Sequence, residues 1–340
     1  MAERNRQWLL ARRPQGLLSR NDLTYRETTV DPARLPPGHI RVRNLAFLCA
    51  PTMRNWMEDK GNSLYPSMPL GMPVMAPAGA EIIESTDPRF PVGAKVSLLS
   101  SWQDYETIDS ASRPIQRLPD ELGIVDAIGR FGLNSVTAYF GLLRVGEPRA
   151  GETLLVSGAA GSTGAVAAQI GKLAGCRVVG IAGGETKCSW LTEELGLDAA
   201  VDYRAGNLVE AIRSAAPEGI DVFFDNVGGE ILQAAVEVMN RFGRIVLCGQ
   251  IAGYNDGRPV PGLTNMMRLI YGSIRLQGFL MGDYREDVPQ ALSNLRKWEA
   301  ERKLTLRVDT RHGFENLPDI FNLLFSGTNS GTLVADVASG

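Results

Sequence analysis

Residues Leu154–Gly164 read LLVSGAAGSTG, an apolar run followed by glycines at 158, 161 and 164. A glycine-rich turn between a strand and a helix lets the backbone approach a phosphate, and the helix offers its N–H groups and the positive end of its dipole. Gly161 would permit this approach, and Gly164 would let the helix pack tightly on the sheet. The predicted pyrophosphate-binding residues are Gly161, Ser162, Thr163 and Gly164.

The end of the following strand bears on which dinucleotide binds. An NAD site generally places an Asp or Glu there, about 20 residues after the glycines. In CRVVGIAGGETK the strand end holds Ala182, Gly183 and Gly184 and no acid, which leaves room for a 2′-phosphate. Lys187 and Tyr203 follow, and an ammonium and a phenol suit a phosphomonoester. We therefore predict NADPH bound by Gly183, Lys187 and Tyr203; the alternative for Lys187 is an ordinary solvated helix residue.

Metal chemistry is not expected from the cysteines and histidines. The four cysteines are scattered without a C-x-x-C pair, and the only histidines, His39 and His312, lack ligand spacing with a cysteine. Without a metal to polarise an alkoxide, the hydride acceptor must need less activation. An alkene conjugated to a carbonyl is the natural candidate, because hydride adds to the β-carbon and negative charge collects on the oxygen.

The elements that must position these residues alternate between strand and helix over residues 128–303. Short apolar strands alternating with amphipathic helices indicate a parallel sheet covered on both faces. We predict an α/β fold with a doubly wound Rossmann domain and a six-stranded parallel sheet, including a helix over 230–239. The strand segments are TLLVS, CRVVGIA, AAVDY, IDVFFDNV, RIVLCG and SIRLQGFL.

The first 127 residues and the tail from 304 show a different pattern of segments. Runs such as HIRVRNLAFL, AGAEIIES and KVSLLSSWQDYETI are β-rich and are separated by Pro, Gly and Asp. Several strands at short spacing favour a barrel or sandwich, and the β-rich tail is expected to rejoin it. The predicted domains are therefore 1–127 with 304–340, and 128–303.

Bulk properties restrict the partners. A net charge of −3 and a pI near 5.6 argue against nucleic acid or an anionic membrane as the main partner. No segment approaches the roughly 20 apolar residues of a membrane helix, and the N-terminus lacks a signal-peptide pattern. We expect a cytoplasmic enzyme with a small-molecule substrate.

Several segments together resemble the zinc-free medium-chain dehydrogenase/reductases, the group of prostaglandin/leukotriene reductases, 2-alkenal double-bond reductases and curcumin reductases. The resemblance spans almost the whole chain. It implies a GroES-like β domain beside the Rossmann domain and a homodimer. The segments that carry it are NRQWLLARRPQG, APTMRNWM, VTAYFGL, SGAAGSTGAVAAQIGKLAGCRVVGIAG, FFDNVGGE, RIVLCGQIAGYN, LQGF and LFSGTNSGTLV.

The resemblance also implies site residues. Tyr254 would reach the nicotinamide–substrate region, and Tyr65 is a second tyrosine over the substrate. A phenol with a pKa near roughly 10 stays protonated at neutral pH, so either can donate a hydrogen bond to an enolate oxygen or relay a proton. The alternative for both is simple packing. The implied cofactor contacts are Tyr139, Asn226, Gly249, Ile251 and Asn329, and the implied substrate-side residues are Met53 and Arg54. Met72 lies in a loop rich in Met and Pro that is expected to form part of an apolar lid over the substrate, with core packing as the alternative.

The sequence departs from the family pattern at a few positions. Thr52 stands where relatives carry Tyr, Thr332 where they often carry Lys, and Asn134 and Ser135 fall in a segment that relatives write roughly as GMPGLTAY. Thr332 argues against a phosphate contact from the C-terminal segment, and the other changes bear on the substrate pocket. The sequence therefore predicts NADPH-dependent reduction of α,β-unsaturated aldehydes or ketones. The alternatives are a zinc-free quinone reductase and an NADPH-binding sensor with little turnover.

Overall fold

A computed structural model describes residues 3–31, 33–59, 67–255 and 262–338. Within these ranges the chain forms two compact units, residues 1–132 with 308–340 and residues 133–307. Both unit boundaries fall a few residues beyond the predicted domain boundaries. None of the described helices is long and apolar enough to cross a membrane.

The strands of the described ranges are β1 (Arg4–Leu10), β2 (Leu23–Thr29), β3 (His39–Leu48), β4 (Met75–Ser85), β5 (Lys95–Ser101), β6 (Tyr105–Asp109), β7 (Ile115–Arg117), β8 (Thr153–Ser157), β9 (Arg177–Ala182), β10 (Ala199–Asp202), β11 (Ile220–Asp225), β12 (Met239–Leu247), β13 (Arg275–Gly278), β14 (Val308–His312) and β15 (Thr332–Asp336). The α-helices are α1 (Thr52–Trp56), α2 (Ile124–Arg130), α3 (Leu133–Phe140), α4 (Ser162–Leu173), α5 (Glu185–Glu193), α6 (Leu208–Ala215), α7 (Gly229–Val236), α8 (Met266–Gly272), α9 (Val288–Ala300) and α10 (Leu317–Ser326). Short 3₁₀ segments lie at Arg20–Asp22, Ile251–Gly253, Met281–Asp287 and Phe314–Asn316, and a π-helical turn at Gly141–Gly146 follows α3.

The unit of residues 133–307 is built on a parallel sheet with the strand order β10-β9-β8-β11-β12-β13. Every residue of β8 is buried, as expected for a strand covered by helices on both faces. The sheet core includes Leu155, Val179 and Phe223, which pack among buried residues of α6 and α7. The order changes direction at β8, and ligands of such sheets bind outside the carboxyl ends of the strands at this point.

The unit formed by the first and last segments is β-rich. Its larger sheet has the order β14-β15-β3-β4-β5-β7, with β6 paired to β3, and β1 and β2 form an antiparallel ribbon. The C-terminal β15 pairs antiparallel with β3, so the tail rejoins the N-terminal domain as expected. The predicted α/β fold class, a β-rich domain with a six-stranded parallel sheet, is confirmed.

Two predicted segments differ in extent. The helix expected over 230–239 ends at Val236, because Met239 already begins β12 and pairs with Ile220 of β11. The run KVSLLSSWQDYETI forms two strands, β5 and β6, rather than one. In both places an apolar segment fits more than one element, and pairing with neighbouring strands decides where each element ends.

Candidate active site

The glycine turn after β8 has the shape that a phosphate requires. Gly158 has φ of +58°, and a Cβ on Gly164 would lie 2.2 Å from the Gly158 carbonyl oxygen. Gly161 is the N-cap of α4, and as a glycine it has no side chain to cover the first-turn N–H groups. A side chain at Gly164 would collide with the backbone of Gly158, so the close packing of α4 on the turn requires glycine here. The first-turn N–H groups that Gly161 leaves uncovered fit a bound pyrophosphate.

Ser162 and Thr163 form the first turn of α4 and are half-buried. The Asn134 side-chain amide donates a hydrogen bond to the Ser162 hydroxyl at 2.9 Å. Asn134 is one of the positions where the sequence departs from the family pattern. Its place beside the turn could not be read from the sequence, because it depends on how α3 packs against α4.

The ends of β9 and β10 bring Gly183 and Tyr203 together. A Cβ on Gly183 would lie 2.8 Å from Tyr203 Cε1 and 3.0 Å from Arg204 Nε. Lys187 lies in the first turn of α5, half-buried, just beyond this strand end. Sequence reasoning missed Arg204, whose only signal was that it directly follows Tyr203. These groups give the strand end a cationic and phenolic character that suits a phosphomonoester.

One acid does lie at this edge, but it serves the backbone. Asp202 Oδ1 accepts hydrogen bonds from the N–H groups of Gly184 and Arg204, each at 3.0 Å. These two bonds hold the pKa of Asp202 below its usual range. The carboxylate therefore fixes the glycine and the arginine in place.

The ends of β11 and β12 bring a second group of predicted residues together. The Asn226 amide donates to the Ser157 carbonyl at 2.7 Å, which ties the loop after β11 to the end of β8. A Cβ on Gly249 would lie 3.0 Å from the Asn226 carbonyl oxygen and 3.5 Å from the Tyr254 hydroxyl. Close approach at Gly249 thus depends on the absence of a side chain.

Tyr254 follows the 3₁₀ segment Ile251–Gly253. Its hydroxyl accepts a hydrogen bond from the Gln250 N–H at 3.2 Å, and the Ile251 N–H bonds the Asn226 carbonyl at 3.4 Å. The phenol oxygen is therefore positioned over the loop that leaves β12. A phenol that accepts one hydrogen bond can still donate its own proton, so this geometry suits a hydrogen-bond donor to a substrate oxygen.

Tyr139 contacts α9. Its hydroxyl accepts a hydrogen bond from the Asn294 side-chain amide at 2.8 Å, and its ring packs at 5.9 Å from Trp298. These contacts join α3 to α9. The structure gives the residue this helix-packing role, and its part in lining a cofactor groove stays a prediction.

The predicted substrate-side residues lie in the β-rich unit. Met53 and Arg54 have no exposed surface, and the Arg54 guanidinium donates to the carbonyls of Pro14 and Gly16, each at 3.0 Å. Arg54 also pairs with Glu58, so it holds the loop after β1 to α1. Met72, in contrast, is 55% exposed. A substrate contact by the two buried residues would require their surroundings to open.

A further predicted residue, Asn329, also belongs to this unit. The Asn329 side-chain amide donates to the Gly331 carbonyl at 3.1 Å and shapes the turn before β15. Tyr65 lies outside the described residues. The predicted cofactor contact of Asn329 and the predicted substrate contact of Tyr65 both stay predictions.

A catalytic zinc does not fit the described cysteines. Cys49 and Cys248 are separate thiols, and burial raises the pKa of each to about 12. The described part of the chain also contains no group of three or more His, Cys, Asp or Glu side chains placed to hold a metal ion.

Comparisons with known proteins agree with this arrangement. Residues 6–114 match the model of an oxidoreductase N-terminal domain, and residues 162–297 match that of a zinc-binding dehydrogenase. The chain is 36% identical to the NADPH-dependent curcumin reductase of Escherichia coli (strain K12), over 99% of this chain and 98% of that protein. It is 33% identical to the NADP⁺-dependent 2-alkenal reductase of Nicotiana tabacum, over 98% of both.

A solved structure gives the same result. The crystal structure of CurA from Vibrio vulnificus in complex with NADPH superposes with a TM-score of 0.90 at 32% identity, covering 98% of this chain and all of that one. A β-rich domain joined to a Rossmann sheet with a glycine turn defines the class as an oxidoreductase. The chain belongs to the zinc-free medium-chain dehydrogenase/reductases, the group of the curcumin and 2-alkenal reductases. The predicted family is therefore confirmed.

Proposed function

We propose that the chain is an NADPH-dependent reductase of the carbon–carbon double bond in α,β-unsaturated aldehydes and ketones. The observation that carries the proposal is the Tyr254 hydroxyl, held over the Gly249–Gln250 backbone at the carboxyl edge of the Rossmann sheet. The names of the relatives support NADPH and an alkenal type of substrate.

The residues of this chain divide the work of binding. The glycine turn and the first turn of α4 hold the pyrophosphate, and Lys187, Tyr203 and Arg204 hold the 2′-phosphate by charge-assisted hydrogen bonds. Asn226, Gly249 and Ile251 line the nicotinamide half. The bound cofactor supplies the hydride that the β-carbon of the substrate accepts.

Tyr254 then acts on the substrate oxygen. As hydride adds to the β-carbon, the electron pair of the double bond moves and negative charge develops on the carbonyl oxygen. A positioned donor of this kind lowers such a barrier by about 3–4 kcal/mol. Tyr254, with Tyr65 as the alternative, also relays the proton that ends on the α-carbon, so that the product has gained one hydride and one proton.

The test is NADPH oxidation by the purified protein with a series of 2-alkenals and enones against simple quinones, with products identified by gas chromatography and mass spectrometry against standards of the saturated carbonyl and the allylic alcohol. The proposal expects saturated carbonyl products two hydrogens heavier than the substrates. Turnover of quinones alone would make the chain a quinone reductase. Tight NADPH binding without oxidation by either series would make it a sensor.

We also propose a homodimer formed through β13. This strand is the edge of the parallel sheet, and all four of its residues are exposed. Large apolar side chains beside it are exposed as well, with Ile270 at 66%, Tyr271 at 76% and Leu280 at 69%. An edge strand flanked by exposed apolar side chains is a template for pairing with another chain, and a second copy offers the same surface.

We also propose a cytoplasmic location, because of the state of the cysteines. All four are free thiols in the structure, which suits a reducing compartment.

A further inference from the structure

A buried carboxylate lies beneath the proposed site and has no part in the chemistry proposed above. Asp225, the last residue of β11, has no exposed surface. Its carboxylate accepts hydrogen bonds from the Ser157 hydroxyl at 2.7 Å and from the N–H groups of Val227 and Gly228 at 3.0 Å. Burial raises the pKa of Asp225, while these donors favour the charged form. A group so costly to bury must be matched by its donors.

The donors of Asp225 belong to the loop that carries Asn226. The Ser157 hydroxyl, which donates to Asp225, accepts in turn from the Asn226 N–H at 2.8 Å. The carboxylate and the serine thus fix every N–H from Asn226 to Gly228. Since Asn226 also bonds the Ser157 carbonyl, the loop is locked to the end of β8, where the glycine turn starts.

The same loop holds the segment that ends at Tyr254. The Asp225 carbonyl accepts from the N–H groups of Cys248 at 2.8 Å and Gly249 at 3.1 Å. The Val227 carbonyl accepts from the Ala252 N–H at 3.1 Å. A change in the direction of the loop after Asp225 would therefore move the backbone beneath Tyr254.

The strand order assigns this network to one side of the site. Asp225 lies on β11, whereas Gly183 and Tyr203 lie after β9 and β10, on the other side of β8. In a doubly wound sheet the two halves of a dinucleotide lie on opposite sides of the strand where the order reverses. A disturbance at Asp225 should thus reach one half of the cofactor and spare the other.

We propose that Asp225 is a positioning residue that orders the loops after β11 and β12 and thereby strengthens binding of the nicotinamide half of NADP(H). The proposal rests on the proposed cofactor site and assigns the residue no contact with substrate or cofactor. Asp225→Asn is the direct probe, because the amide keeps the shape and one accepting oxygen, removes the negative charge, and places an NH2 group where Oδ2 accepts from the Gly228 N–H at 3.1 Å.

The experiment measures dissociation constants by calorimetry for NADP⁺ and for adenosine 2′,5′-bisphosphate, which lacks the nicotinamide half. Asp225→Asn should weaken NADP⁺ by about tenfold or more, the size expected when buried donors lose a charged acceptor, and change the bisphosphate less than about twofold. The matched control is Asp221→Asn. Asp221 is the second residue of the same strand and accepts from the Thr153 N–H and the Asn240 amide at the end opposite to Asp225, so the affinity for neither ligand should change.

Equal weakening of both ligands, or no weakening of NADP⁺, would overturn the proposal. If the Asp225 variant does not fold, Ser157→Ala carries the test, because it removes one donor to the carboxylate and must weaken NADP⁺ selectively. Failure of the wild-type protein to bind the bisphosphate would instead contradict the proposed cofactor site. The two failures are thus distinguishable.

Discussion

The Arg204 guanidinium lies over the Tyr203 ring, 5.4 Å from its centroid, beside Gly183, the residue that follows β9. A planar cation stacked on an aromatic ring is held in one orientation at little further entropic cost. In the proposed cofactor site, the phenol and the guanidinium would bind the 2′-phosphate, and this proposal can be tested by substitution.

Arg204→Ala should weaken NADPH binding by about tenfold or more and leave NADH binding nearly unchanged, because a charge-assisted hydrogen bond is worth about 1.5–3 kcal/mol. Fluorescence titration with both cofactors measures this. Arg213→Ala removes an exposed arginine that pairs with Glu210 on α6, and it should change neither constant. An equal loss of affinity for NADPH and NADH would show that Arg204 does not recognise the 2′-phosphate.

Tyr254→Phe should lower kcat with an enone by about tenfold or more and change NADPH affinity by less than about threefold, because the donor acts when charge develops on the oxygen. Steady-state kinetics and cofactor titration give both values. The matched control is Tyr271→Phe, which removes a hydroxyl at a 76% exposed position on α8. An unchanged kcat in the Tyr254 variant would remove this residue from the chemistry.

Gly164→Ala should abolish measurable NADPH binding and lower the free energy of unfolding by about 1–3 kcal/mol, since its Cβ would lie 2.2 Å from the Gly158 oxygen and force the turn apart. Calorimetry and urea unfolding measure the two effects. Gly282→Ala places its methyl group in open space and should preserve both. Normal binding by the Gly164 variant would contradict the assigned phosphate turn.

Glu152→Gln should destabilise the protein by about 1–3 kcal/mol at neutral pH. Burial alone would raise the pKa of Glu152, but hydrogen bonds from Arg244 and the Arg149 N–H outweigh it and hold the pKa below its usual range. The stabilisation is therefore complete above the unfolded-state pKa of about 4.5 and is lost as the pH falls through the lower folded-state value. Urea unfolding across this range should show the difference from wild type shrinking in acid.

The control for that pH series is Glu210→Gln. Glu210 pairs with Arg213 on the surface of α6, and such exposed pairs contribute about 0–1 kcal/mol. A Glu152 effect that persists unchanged in acid would show that the variant acts through packing.

Leu276→Asp should convert the proposed dimer to a monomer. Each copy would contribute one carboxylate to the interface along β13, and the two like charges would repel each other. Light scattering on both proteins at the same concentration measures the mass. Val92→Asp alters another exposed apolar residue, 64% exposed in the β-rich unit, and should leave the mass unchanged. A monomeric wild-type protein would refute the dimer.

The sequence was sufficient for the main features of the Rossmann unit. Each parallel strand is a short apolar run between helical segments, and the glycines at 158, 161 and 164 indicate a tight turn. The structure has the strands and the turn where this local pattern predicts them. The segment 230–239 shows where pattern reasoning stops. Its apolar residues suit both helix and strand, and pairing of Met239 with Ile220 decides the boundary.

The sequence by itself determined the family, the fold class and the glycine turn, because these depend on residue types at fixed spacing along the chain. Only the tertiary structure brought Arg204 to Gly183, Asn134 to Ser162 and Asp225 beneath the loop of Asn226. It also placed the Asn294 side-chain amide within hydrogen-bond distance of the Tyr139 hydroxyl. The physical reason is that a hydrogen bond between side chains far apart in sequence depends on which strands and helices become neighbours, and no local periodicity encodes that choice.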